Sequence, residues 1–194
     1  EVAGSLVTPV DVQVRSVLAA SASGVLFTAN PVDDATVLHL WKWTPSDGAM
    51  PLAQPDGIVA AVGTHDHQAV RISTLDADDA NWALPNGTSI ASLSQSPLVD
   101  PKVHLLPGVG PAGQPLDVAM LLPTDPPQGP LPVLLDPYGG PHALRVVRSS
   151  RAFASSQWFA DPGFLFIVCD GRGTPGRGSA RERAGAGHLA SAAR

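Results

Sequence analysis

The stretch 131–178 reads LPVLLDPYGGPHALRVVRSSRAFASSQWFADPGFLFIVCDGRGTPGRG. Two short apolar runs lie in it, Val133–Leu135 and Leu165–Cys169, and each runs at once into a glycine-rich turn, DPYGGPH and DGRGTPGRG. The segment between them has the length of one helix. Ser149 or Ser150 can cap that helix, it runs to about Ala160, and Asp161-Pro162-Gly163 stops it. The pattern is a strand–turn–helix–strand unit with both turns at the carboxyl ends of strands, where open α/β sheets place their chemistry. Val133–Leu135 reads as a buried sheet strand.

Upstream the pattern changes. Val10, Val12, Val14 and Val17 precede the run Gly24–Thr28, and VLHLWKWT follows at 37–44. In that last run Val37, His39, Trp41 and Trp43 share one face, and Leu38, Leu40 and Lys42 the other. The turn Pro45–Gly48 comes next, then Ile58–Val62, a turn at His65-Asp66-His67, and Ala69–Ser73. Strands every eight to twelve residues, with turn signals between them, specify an all-β sandwich, barrel or propeller. LDADDANWALPNG reads as a loop, and Ser96-Pro97 to Asp100-Pro101 as a linker. Lys102–Leu106 and Leu116–Leu122 read as two strands joined by a Gly/Pro hairpin.

Composition sets bounds. The chain has 194 residues, 44% of them hydrophobic, with 20 prolines and 19 glycines, which suits short strands and turns better than long helices. Charge is uneven. Residues 137–194 carry eight arginines against three acids, a net of +5; residues 1–136 carry four bases against fourteen acids, a net of −10; together these give the chain's −5. The arginines are scattered through turns and a helix, with no lysine and no run, so nucleic acid is not the expected partner. No apolar stretch of about 18 residues exists, so no membrane span is expected. The start, EVAGSLVTPVDVQV, has neither a basic head nor an apolar run, so no signal peptide and a cytoplasmic location are expected. It also lacks an initiator Met, which points to a start further upstream. The single cysteine, Cys169, ends an apolar strand and reads as a small buried hydrophobe.

The motifs Asp136–His142 (DPYGGPH), Ser156–Ala160 (SQWFA) and Asp170–Thr174 (DGRGT), in this order and spacing, resemble those of the prolyl oligopeptidase family of serine peptidases, in its dipeptidyl peptidase IV and acylaminoacyl-peptidase branch. The resemblance departs from the family at Pro162, usually Gln, at Arg181, commonly an aromatic, and at His188, commonly Asp. It implies a mixed fold: an all-β part, the end of a β-propeller, followed by the N-terminal part of an α/β-hydrolase fold. The expected division is 1–96 for the C-terminal propeller blades and 97–194 for the beginning of the peptidase domain. The activity implied is hydrolysis of short peptides by a serine nucleophile. In that branch the tyrosine of the YGG motif donates to the oxyanion. Here it is Tyr138, the only tyrosine, with Gly139 and Gly140 letting the backbone approach substrate. His142 is read as a structural, hydrogen-bonding histidine. No cofactor and no metal are implied. The expected partners are a short peptide, the rest of the hydrolase domain and, in a homo-oligomer, a second copy.

The nucleophile itself is not visible. No serine stands in G-x-S-x-G, the elbow that α/β-hydrolases require, so this chain by itself is expected to be inactive. Ser89, Asp170 and His188 fall in the hydrolase order, but no buried strand leads into Ser89. GRGTPG at 171–176 fits the dinucleotide pattern G-x-G-x-x-G. It lacks the acid about 20 residues on, and Pro175 removes an N–H from the cradle. His65 and His67 offer two imidazoles without a third ligand at motif spacing, so a polar hairpin turn is the better reading. Trp41 and Trp43 read as packing residues, though a solvent-facing pair would suit a ligand. The reading from another class is a non-catalytic remnant or binding module. An unfinished parallel sheet is expected to leave an unpaired edge and uncovered apolar faces, with self-association as the result.

Overall fold

The computed structural model describes residues 4–77, 81–95, 97–111, 113–140 and 142–183. It is mostly β-sheet with few helices, in three four-stranded sheets. The first is a meander of β1 (Val12–Ala20), β2 (Val25–Pro31), β3 (His39–Thr44) and β4 (Gly48–Ala53), paired antiparallel in chain order. The second repeats the pattern with β5 (Gly57–Gly63), β6 (Gln68–Thr74), β7 (Trp82–Ala83) and β8 (Ser89–Ile90). The loop expected at 75–87 thus carries a short strand. A parallel bridge, Leu38 to Ile58, joins the two sheets.

Period-2 patterning explains the packing. Leu26 and Leu40 are fully buried against Val59, Ala61 and Val70 of the second sheet. The opposite face holds Phe27, Ala29 and Trp41, and the Phe27 and Trp41 rings stack with centroids 6.3 Å apart. Trp41 is therefore a core residue, as expected of the 37–44 strand. His65 is buried in the β5–β6 turn, with Nε2 3.1 Å from the Asp66 carboxylate, while His67 is exposed. Gly24 makes this possible, because a Cβ there would lie 2.6 Å from the His65 ring.

The third sheet runs β11-β12-β10-β9, from β9 (Val103–Val109), β10 (Pro115–Leu121), β11 (Val133–Tyr138) and β12 (Leu165–Asp170). β9, β10 and β12 are antiparallel neighbours, and β11 pairs parallel to β12 with Leu135 opposite Ile167 and Tyr138 opposite Asp170. A 3-10 turn (Ser150–Phe153) and α1 (Ala154–Ala160) make the crossover. Ser149 precedes that turn in extended conformation but forms no side-chain cap, so the expected capping bond is absent; Ser150 lies inside the turn. One face of the sheet, with Ala119, Leu121, Phe166 and Val168, closes against Val146, Phe153 and Ala160.

The other face corrects one expectation. β11 is an edge strand, not a buried one, and its Val133 and Leu135 are 58% and 60% exposed. Trp158 and Phe159 on α1 are also exposed. The uncovered apolar face and open edge expected of the sequence are therefore features of the described residues. α2 (Ser179–Arg183) follows. Among the described residues no helix is long and apolar enough to cross a membrane.

Gln157 locks this sheet to its helix. It is fully buried. Its Nε2 donates to the Leu122 carbonyl at 2.9 Å and to Asp161 Oδ1 at 2.8 Å, and its Oε1 accepts from the Lys102 N–H at 3.2 Å. Gln157→Ala strands two backbone groups and is expected to cost about 2–3 kcal/mol. Urea unfolding at low micromolar concentration measures it, and an unchanged midpoint would show that these bonds carry no net stability.

Candidate active site

The parallel pair β11–β12 ends both strands at one edge, and the residues singled out from sequence meet there. Tyr138 is the last residue of β11 and lies in register with Asp170, the last of β12. The Gly171 N–H donates to the Tyr138 carbonyl at 2.6 Å, so the two turns are tied together just beyond the strands. The Tyr138 ring folds back over Gly140: a Cβ on Gly140 would come within 2.8 Å of the Tyr138 hydroxyl oxygen and 3.0 Å of Cζ. Only glycine leaves room for the phenol in this position. The hydroxyl itself has no hydrogen-bond partner among the described residues.

Asp170 organises the turn. It is 1% exposed, and its Oδ2 accepts from the N–H groups of Arg145 at 2.9 Å and Val146 at 2.8 Å. Burial raises its pKa above the usual carboxylate value, the two amides pull it back, and the nearby Asp117 charge adds to the rise. Arg145 in turn forms an ion pair with Asp136 on β11. Arg177, beyond the second turn, pairs with Asp117 on β10, Nε to Oδ2 at 3.0 Å, where both side chains are largely buried. Cys169 is half-buried. Desolvation pushes its thiol pKa up, and the Asp170 and Asp117 charges push it further, so it is a poor nucleophile.

The remaining candidates separate from this cluster. Ser89 is exposed in β8, in the second sheet, and Asp170 is buried in the third. His188 lies outside the described residues. His142, read from the sequence as a hydrogen-bonding histidine, is exposed and makes no hydrogen bond among the described residues. The 171–176 turn spends its polar groups internally and on the first sheet. Thr174 Oγ1 donates to the Gly171 carbonyl, the Gly176 N–H to Glu182, and the Gly176 carbonyl accepts from Asn30 Nδ2 at 2.8 Å. Gly176 N–H is not left free to hold a phosphate.

A second tie was not signalled by the sequence. The Arg148 N–H donates to the Thr36 carbonyl at 2.8 Å, and its Nε to Thr36 Oγ1 at 3.1 Å. Its guanidinium also reaches Asp56 at 3.3 Å and Asp34 at 3.7 Å. Arg148 therefore fastens the crossover to the N-terminal sheets.

No protein-family model matches the chain, and no curated protein is similar to it in sequence. Solved structures are similar. Dipeptidyl peptidase 4 of Porphyromonas gingivalis superposes with a TM-score of 0.73 at 16% identity, over 92% of this chain and 27% of that one. The chain has the fold of a segment of dipeptidyl peptidase 4. A Bacteroides ovatus protein described as a dipeptidyl aminopeptidase IV superposes with a TM-score of 0.72 at 21% identity, again over 92% of this chain and 27% of that one. The chain thus spans about a quarter of the length of the dipeptidyl peptidase structures it matches, and the likeness is one of fold.

Asp170 gives a pH test. A carboxyl whose pKa is raised in the folded state favours folding below its unfolded value, ordinarily 3.8, and that contribution is lost as pH rises through the raised value. The stability of the natural chain relative to Asp170→Asn is therefore expected to fall as pH goes from 4 to 7, read from urea midpoints. A relative stability of the natural chain that rises over that range would overturn the assignment.

Proposed function

We propose that the chain is part of a serine peptidase of the dipeptidyl peptidase type that hydrolyses short peptides. Residues 1–96 supply the C-terminal blades of its β-propeller, and residues 97–194 the first part of its α/β-hydrolase domain. Tyr138 is the oxyanion donor. The observation that carries this reading is the placement of its phenol: at the carboxyl end of a parallel strand, turned over Gly140, with its O–H unbonded among the described residues. A preorganised O–H in this position costs nothing to orient when charge develops on a carbonyl oxygen.

In the reaction so assigned, a serine from another part of the polypeptide attacks the peptide carbonyl while a histidine takes its proton. The carbonyl oxygen becomes an oxyanion and accepts from the Tyr138 hydroxyl. Collapse of the tetrahedral species expels the amine, protonated by the same histidine, and water then releases the acyl group. Gly139 and Gly140 keep side chains away from the scissile bond. Asp170 holds the far end of the turn and so fixes the direction of the chain leaving Tyr138. The likeness in fold to dipeptidyl peptidase 4 supports this choice of reaction over a dinucleotide or metal chemistry.

In the longer protein that carries the serine, Tyr138→Phe is expected to lower kcat by about 10²–10³-fold with KM little changed. An unchanged kcat would remove Tyr138 from the oxyanion site. A fluorophosphonate probe is expected to leave this chain unlabelled, and labelling at Ser89 would sink the assignment of the nucleophile to another segment.

A further inference from the structure

Two glycines follow Tyr138, so the backbone just beyond it has little stiffness of its own. Something outside those residues must hold the phenol over Gly140. Besides the Gly171 N–H bond to the Tyr138 carbonyl, two holds close this loop, and Arg145 takes part in both. Its backbone N–H donates to the buried Asp170 carboxylate, at 3.1 Å to Oδ1 and 2.9 Å to Oδ2. Its guanidinium turns back to the Asp136 carboxylate, with Nη2 bonded to Oδ2 and Nη1 at a longer 3.4 Å from Oδ1. The main chain of Arg145 thus fixes the far end of the loop to β12, and its side chain returns to the near end on β11.

The place of Asp136 gives the side-chain hold its meaning. Asp136 and Tyr138 are two residues apart on β11, so both side chains leave the strand on one face, the face on which Leu134 packs against the core. The guanidinium is therefore held on the side from which the phenol also departs. A guanidinium fork on a carboxylate fixes direction as well as distance, which the point charge of a lysine does not. The pair is partly open to water, with 39% of the Arg145 side chain and 33% of the Asp136 side chain exposed. A pair so exposed adds little to global stability. Its effect is local: it restrains the chain between Tyr138 and the Asp170 anchor.

We propose that Arg145 is a positioning residue for Tyr138: by pairing with Asp136 it holds the loop in the arrangement that keeps the phenol over Gly140. That the held group serves an oxyanion rests on the peptidase reading above; the hold itself rests on these contacts alone. Arg145 touches no reacting atom. It acts by limiting the positions open to Tyr138 before substrate arrives, so that the O–H need not be ordered during the reaction.

Tyr138 is the only tyrosine, so tyrosine labelled with 13C in its ring reports on this one site when NMR spectra of the full chain are recorded. Arg145→Gln keeps the backbone N–H on Asp170 and removes only the side-chain hold. It is expected to move the ring signals toward their positions in the urea-unfolded chain while the circular dichroism melt stays unchanged. Asp136→Asn, a near-isosteric change, is expected to give the same shift, and the double variant no more than either alone. Arg145→Lys is expected to recover part of the natural signal position. In the longer protein that carries the serine, Arg145→Gln is expected to lower kcat about tenfold with KM little changed. Ring signals unmoved in both single variants, shifts that add in the double variant, or shifts that come only with a lowered melt would overturn the proposal. So would an unchanged kcat in Arg145→Gln where Tyr138→Phe lowers it. Moved ring signals together with an unchanged kcat in Tyr138→Phe would instead overturn the peptidase reading and leave the Arg145 hold standing.

Discussion

A single buried carboxylate holds the C-terminal half of this molecule in shape. Asp170 accepts two consecutive backbone N–H groups, those of Arg145 and Val146, inside a site almost closed to water. An unmet charge there would be strongly unfavourable, so the amides must stay. Those two residues sit midway along the segment from Tyr138 to the 3-10 turn. On one side the chain leads back through the glycines to the phenol. On the other it leads within two residues to Arg148, which grips Thr36, Asp34 and Asp56. The tyrosine, the crossover and the junction with the N-terminal sheets therefore share one anchor.

The N-terminal sheets contribute a different constraint. Their meander pairing is local, and their packing is set by alternation along each strand. The 37–44 strand illustrates this: Leu40 turns to the second sheet and Trp41 to the opposite face, and both are buried. The third sheet is fastened to this platform. Arg148 and the Asn30–Gly176 bond tie the turns of the third sheet to it.

Much of this was legible in the residues, and the limits are physical. The alternation of apolar residues and the glycine-rich turns identified the strands on either side of the crossover, and the parallel pair came out in register. Tyr138 and Asp170 were visible through the motifs DPYGGPH and DGRGT, which carry the resemblance. The exposure of Val133 and Leu135 was not, because an apolar run reads the same at a sheet's centre and at its edge; only the neighbours decide. Nor was the Arg148 clasp visible. Its partners at Thr36 and Asp56 lie 112 and 92 residues away, and no local pattern reports a contact of that span. Gln157 was quoted only within a motif, since nothing nearby marks a glutamine as buried. His142 was read as a hydrogen-bonding histidine, yet it is exposed, and the buried hydrogen-bonding side chain here is Asp170, whose burial no spacing reveals.

The order of the strands also bears on how the chain folds as it is made. β1 to β6 pair with neighbours separated by short turns, and these can close as soon as they leave the ribosome. The third sheet cannot. Its strand order, β11-β12-β10-β9, places β12 between β10 and β11, so β10 and β11 must both wait for Leu165–Asp170 to emerge. Until then both hold unpaired edges. At a synthesis rate of about 5–20 residues per second the wait from Leu121 to Asp170 lasts seconds, far longer than a hairpin takes to form. The interleaving that brings Tyr138 beside Asp170 thus makes this sheet the part of the nascent chain most in need of a chaperone.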